Sequence, residues 1–63
     1  MPEYLILTVY RSGKYYKPMI RAQFKDEKKE RTYKLFRPSE EGFLSRERAF
    51  NFGMTTLIAG HFL

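Results

Sequence analysis

Few residues in this 63-residue chain have the type and spacing for catalysis. His61 is the single histidine and cysteine is absent, so neither a thiolate zinc site nor a His-anchored one can be assembled in the usual way. Glu40-Glu41 is a carboxylate pair in name only: adjacent side chains diverge, and the flanking Pro38 and Gly42 mark a loop. Ser39 and Ser45 have no base nearby in sequence, and Ser45 reads better as a helix N-cap. Gly13, Gly42, Gly53 and Gly60 do not have phosphate-loop spacing. The sequence therefore reads as a non-enzymatic module with no cofactor and no metal.

The residues with an evident chemical use are cations and tyrosines. The formal charge is +5, and it is unevenly spread. From Arg11 to Arg37 there are ten basic and three acidic residues, while the flanking segments are each slightly acidic. A basic stretch interleaved with aromatics faces polyanions: cations neutralise phosphates and rings stack on bases.

Such residues need a scaffold. Aromatic residues make up 17% of the chain, too many for a disordered polymer of this charge. The length allows one domain, residues 1–63, with a small core. Glu3–Arg11, containing Leu5-Ile6-Leu7-Thr8-Val9-Tyr10, has the composition of a strand. Tyr15–Lys25 alternates, with Tyr16, Ile20, Ala22 and Phe24 on one side and Lys17, Arg21, Gln23 and Lys25 on the other. Pro18 lacks a donor, so its nitrogen must face an edge or a bulge. Arg31–Arg37 gives a third strand that Pro38 ends. From Ser45 the period changes to that of a helix running to about Gly60, a candidate C-cap. Phe50, Met54, Leu57 and His61 form its apolar stripe, with Ala49, Gly53 and Gly60 on the shoulder. His61-Phe62-Leu63 would then be a short tail.

The expected fold is α+β: a three-stranded antiparallel meander (about 3–11, 15–25 and 31–37) with one C-terminal helix (about 45–60) on one face. A turn centred on Ser12-Gly13 places Val9 opposite Tyr16, Leu7 opposite Pro18 and Leu5 opposite Ile20. A turn centred on Lys28-Lys29 places Phe24 opposite Tyr33 and Ala22 opposite Leu35. Both put the same apolar residues on one face, which the helix must cover. The other face then carries Tyr4, Ile6, Thr8, Tyr10, Tyr15, Lys17, Met19, Arg21, Gln23, Thr32, Lys34 and Phe36, with no remaining chain to cover it.

Two uses of that face follow. In the first, Lys17, Arg21, Lys34, Tyr10 and Tyr15 bind nucleic acid. In architecture alone the domain is similar to the DNA-reading domains of some plant transcription factors and phage integrase N-termini, although no motif of either is present. In the second, Ile6, Met19, Phe36 and Tyr4 form the apolar centre of an interface with an acidic protein or a second copy. A homodimer can also pair two copies of the long, uncharged first strand edge to edge. A phage or mobile-element inhibitor of a host protein would have the same composition. No apolar run approaches the roughly 20 residues of a membrane span, the helix lacks a basic polar face, and Met1-Pro2-Glu3 lacks the basic start of a secretory signal. A cytoplasmic protein without membrane contact is therefore expected.

Overall fold

The computed structural model describes residues 2–60. The expectations for His61 and for the tail after it lie outside the described residues. Strands β1 (Tyr4–Ser12), β2 (Tyr15–Gln23) and β3 (Arg31–Lys34) form an antiparallel sheet in the order β1-β2-β3, and helix α1 (Arg46–Ala59) follows. The α+β meander is as the sequence predicts, with a shorter third strand and different registers.

The first hairpin turns on Gly13-Lys14, so Ser12 pairs with Tyr15, Val9 with Pro18, Leu7 with Ile20 and Leu5 with Ala22. The turn is displaced because a two-residue hairpin needs a positive φ at its first loop position. Gly13 adopts φ 63°, a value that Ser12 would resist in the same place. In the second hairpin Ile20 pairs with Tyr33 and Ala22 with Arg31, not with Leu35. There a turn closes early, with Glu27 N–H donating to Phe24 C=O at 3.1 Å. Phe24 leaves the ladder and stacks under the Arg31 guanidinium, 4.6 Å from the ring centre. Both displacements are even in register, so every residue in the ladder stays on its expected face.

Pro18 explains why β3 is short. Tyr16 exchanges two backbone hydrogen bonds with Phe43 across the β2 edge opposite β1, at 2.7 and 2.9 Å. Backbone groups of Pro18 point to that same side by the period of two. The next β3 pair after Met19–Lys34 would set Leu35 against Pro18, which has no N–H to give. The chain leaves the sheet there, loops through 35–42 and returns to β2 at Phe43.

Ser45 caps α1 as expected, its Oγ accepting from Arg48 N–H at 3.0 Å, and Gly60 closes the other end with φ 69°. The buried line of the helix is Ala49 and Gly53, with Thr56 and Leu57 half-buried. The expected stripe is thus rotated, and the small residues form its centre rather than its shoulder. A Cβ at Gly53 would lie 2.5 Å from Leu7 Cδ1 and 3.1 Å from Pro18 Cβ, so the helix backbone rests directly on β1 and β2. Ile20, Ala22 and Ala49 are fully buried, on or facing the helix-covered side of the sheet. Phe50 and Met54, expected in that core, are instead exposed at 43% and 38%.

Candidate binding surface

The sheet face away from α1 holds the residues singled out for binding. Pairs Tyr4–Gln23, Ile6–Arg21, Thr8–Met19, Tyr10–Lys17 and Ser12–Tyr15 lie across β1 and β2, with Lys34 beside Met19 and Thr32 beside Arg21. Ile6, Tyr10, Tyr15 and Met19 are half-buried, Tyr4 and Lys34 exposed. Ile6 and Met19 are diagonal neighbours on this face, Ile6 opposite Arg21 and Met19 opposite Thr8.

Two expected site residues are not displayed on this face, one covered and one elsewhere. Lys17 has the expected direction but is only 2% exposed. The 35–42 loop crosses over it. Arg37-Pro38-Ser39-Glu40 makes a tight turn, with Glu40 N–H to Arg37 C=O at 3.0 Å, Pro38 in its favoured second position and Glu40 Oε1 accepting from Arg37 N–H at 2.7 Å. The Lys17 ammonium donates to the carbonyls of Arg37 and Pro38 at 3.4 and 3.3 Å. The ammonium is enclosed against these carbonyls and is not presented on the surface. Phe36 lies past the end of β3 and leaves the sheet face altogether. Its ring packs edge-on against Phe43 and Phe52, with centroids 5.7 and 5.3 Å away, closing the loop onto the helix. Apolar rings beside the helix gain more burial than on the wet face, and Pro18 frees the chain to put them there.

The other predicted residues keep their place with changed surroundings. Arg21 Nε is enclosed without a hydrogen-bond partner, 3.7 Å from Glu30 Oε1, so its charge is partly compensated. Tyr4 donates its hydroxyl to Glu30 at 2.7 Å, and Tyr15 donates to Glu41 at 2.6 Å. Those carboxylate acceptors hold both phenols above their ordinary value, because ionising either would lose the bond and oppose the acid's charge. The Lys34 ammonium lies 5.3 Å from the Tyr10 ring centre, and Lys14 lies 5.4 Å from that of Tyr15.

Sequence reasoning missed Lys14, because it took the residue as the strand position opposite Arg11. The Gly13-Lys14 order was the available signal. For Arg46, a cation in the first helical turn, the sequence suggests an anion, an acidic partner or a pairing with Glu40, Glu41 or Glu47, and the structure gives it other contacts. Arg46 Nη1 donates to Val9 C=O at 3.3 Å and its guanidinium lies 5.1 Å from the Tyr16 ring centre, where Arg11 approaches at 5.8 Å. Contact with the sheet offsets the unfavourable dipole at that position.

Among the described residues no cavity is enclosed, no group of three or more His, Cys, Asp or Glu could hold a metal ion, and no helix is long and apolar enough to cross a membrane. Comparison with protein-family models, curated proteins and solved structures gave no match.

Proposed function

We propose that the protein is a non-enzymatic nucleic-acid-binding module that holds single strands on the sheet face away from its helix. One observation carries this reading: two tyrosine rings on that face, Tyr10 and Tyr15, each have a lysine ammonium beside them and no helix above them. A phosphodiester draws Lys34 and Lys14 off the rings to its oxygens and leaves the rings free for bases. The exchange conserves the cations' electrostatic partners while adding stacking, at about 1–3 kcal/mol per base. Arg21 supports the same surface, weakened by Glu30, and Tyr4 extends it at the far end. The positive balance supplies long-range attraction.

Fluorescence anisotropy with a labelled single-stranded oligonucleotide across a salt series tests this. Affinity falls as salt rises, with a slope of about −0.7 per phosphate contact. Lys14→Gln with Lys34→Gln makes that slope shallower by about 1.4. Tyr10→Ala weakens binding at every salt concentration. Affinity that does not respond to salt, or a double variant with an unchanged slope, removes the proposal.

A further inference from the structure

Two arginines from different elements meet at one ring. Arg11 is the cross-strand partner of Tyr16, on the helix side of the sheet beside the β1–β2 turn. Its guanidinium carbon lies 5.8 Å from the Tyr16 ring centre, and its Nε donates to Gly13 C=O at 2.9 Å. Arg46 comes down from the first turn of α1. Its guanidinium carbon lies 5.1 Å from the same ring centre, and its Nη1 donates to Val9 C=O at 3.3 Å. Val9 and Arg11 are two apart on β1 and share a face, so both guanidiniums reach the ring from the β1 side. The ring is a fixed platform, since Tyr16 pairs with Arg11 on one side and exchanges two backbone hydrogen bonds with Phe43 on the other.

The two cations are held without a counter-charge. The ion pairs among the described residues are Arg21–Glu30 and Arg31–Glu27, toward the opposite end of β2. Each guanidinium gives one nitrogen to a backbone carbonyl. Arg11 keeps both Nη groups and Arg46 keeps Nε and Nη2 without a partner among the described residues, and both arginines are exposed. Like charges fixed about one ring repel each other, and an anion that touches both removes that cost. The guanidinium fork matches the oxygens of a phosphate group in a planar, bidentate manner.

We infer that Arg11 and Arg46, set on Tyr16, form a binding site for a phosphate group. Carbonyl bonds and the ring order both side chains beforehand, so little rotamer freedom is lost on binding. The group has two sources: inorganic phosphate, or a backbone phosphate of the strand proposed above, and the second source rests on that reading. Lys14 links the two surfaces. It follows Gly13 in the turn and lies beside Tyr15 on the face away from the helix, so a strand leaving Tyr15 passes the hairpin end on its way to Arg11.

Inorganic phosphate is titrated into the unmodified protein at constant ionic strength, with the arginine Nε–Hε signals followed by NMR. The Arg11 and Arg46 signals should shift together and saturate. The signal of exposed Arg48, two residues on in the helix and turned away from the ring, should follow neither. Arg11→Lys and Arg46→Lys each keep the charge, lose the fork and weaken phosphate binding about tenfold. Thermal melts of both variants show that the domain is folded, and the titration of the unmodified chain decides by itself if one is not. Arg11 and Arg46 signals that move no more than that of Arg48 overturn the site. So do folded lysine variants that bind phosphate as tightly as the parent. Oligonucleotides then assign the source. If a strand supplies the phosphate, Arg11→Gln with Arg46→Gln makes the salt slope shallower by about 1.4 for a strand of about ten nucleotides and leaves it unchanged for one of about three, which is too short to reach both faces. An unchanged slope for both lengths assigns the site to free phosphate. Absence of any oligonucleotide binding removes the proposed function and leaves this site to the phosphate titration.

Discussion

Gly53→Ala separates two opposing effects whose sizes can be set from the structure. Alanine gains about 1 kcal/mol of helix propensity over glycine at an interior position. Against this, the new methyl would lie 2.5 Å from Leu7 Cδ1, 3.2 Å from Leu7 Cδ2 and 3.1 Å from Pro18 Cβ. Half-buried Leu7 can rotate away, but Pro18 is a closed ring, fully enclosed on the central strand. Forcing a methyl into a packed site costs about 1–3 kcal/mol. The steric cost wins, and the net loss is up to about 2 kcal/mol. For a domain of this length about 1 kcal/mol moves the melting temperature by 4–8 °C. Thermal denaturation followed by circular dichroism, at one fixed protein concentration, should show Gly53→Ala melting several degrees lower. Asn51→Ala, on the exposed side, should melt slightly higher through propensity alone. In a Leu7→Ala background, which removes the two Leu7 methyls, the penalty shrinks. A Gly53→Ala protein that melts higher than the parent would mean that the helix does not rest on Leu7 and Pro18.

Other substitutions probe the remaining contacts. Lys17→Met keeps the buried stem and removes an ammonium held only by two long bonds to carbonyls; it should cost no more than about 1 kcal/mol and leave oligonucleotide affinity unchanged. Lys17→Glu sets a carboxylate against the same two carbonyl oxygens and should unfold the domain, at a cost above about 3 kcal/mol in urea titration. Ser45→Ala removes the bond to Arg48 N–H and should lower stability by about 1 kcal/mol. Glu41→Gln should bring the Tyr15 phenol down toward its ordinary 10.0, read as tyrosinate absorbance against a Tyr15→Phe control. Since the folded phenol is raised, its contribution to stability is complete below that ordinary value and is lost as pH rises through the higher folded one.

The parts of the fold that depend on parity and local chemistry were legible in the sequence. Alternation in Tyr16–Phe24 and in Leu5–Val9 assigned the faces, and an even error in register cannot overturn such an assignment. Ser45 and Gly60 marked the helix ends by capping chemistry. What sequence could not give was the rotation of the helix. A wheel scores Phe50 and Met54 as core because they are large and apolar. In the fold, close approach through Ala49 and Gly53 excludes them to the flanks. The candidate site was legible by direction and not by exposure: Tyr10, Tyr15, Arg21 and Lys34 point where periodicity says, but the acids that bond Tyr4, Tyr15 and Arg21 come from residues 30 and 41, distant in sequence.

Lys17 and Phe36 were misplaced for one shared physical reason, and that reason also narrows the function. Pro18 withholds a donor on the β3 side, so the third strand ends at Lys34 and the chain must find other partners for its next residues. The loop satisfies itself with its own turn at Arg37–Glu40, sends Phe36 to the helix, and lays two carbonyls on the nearest cation, which is Lys17. One cation is thereby taken from the sheet face, and Glu41 is brought beside Tyr15. What stays displayed on that face is a diagonal from Lys14 and Tyr15 through Tyr10 to Lys34, so the proposed binding of nucleic acid is expected to depend on those four residues and not on Lys17 or Phe36.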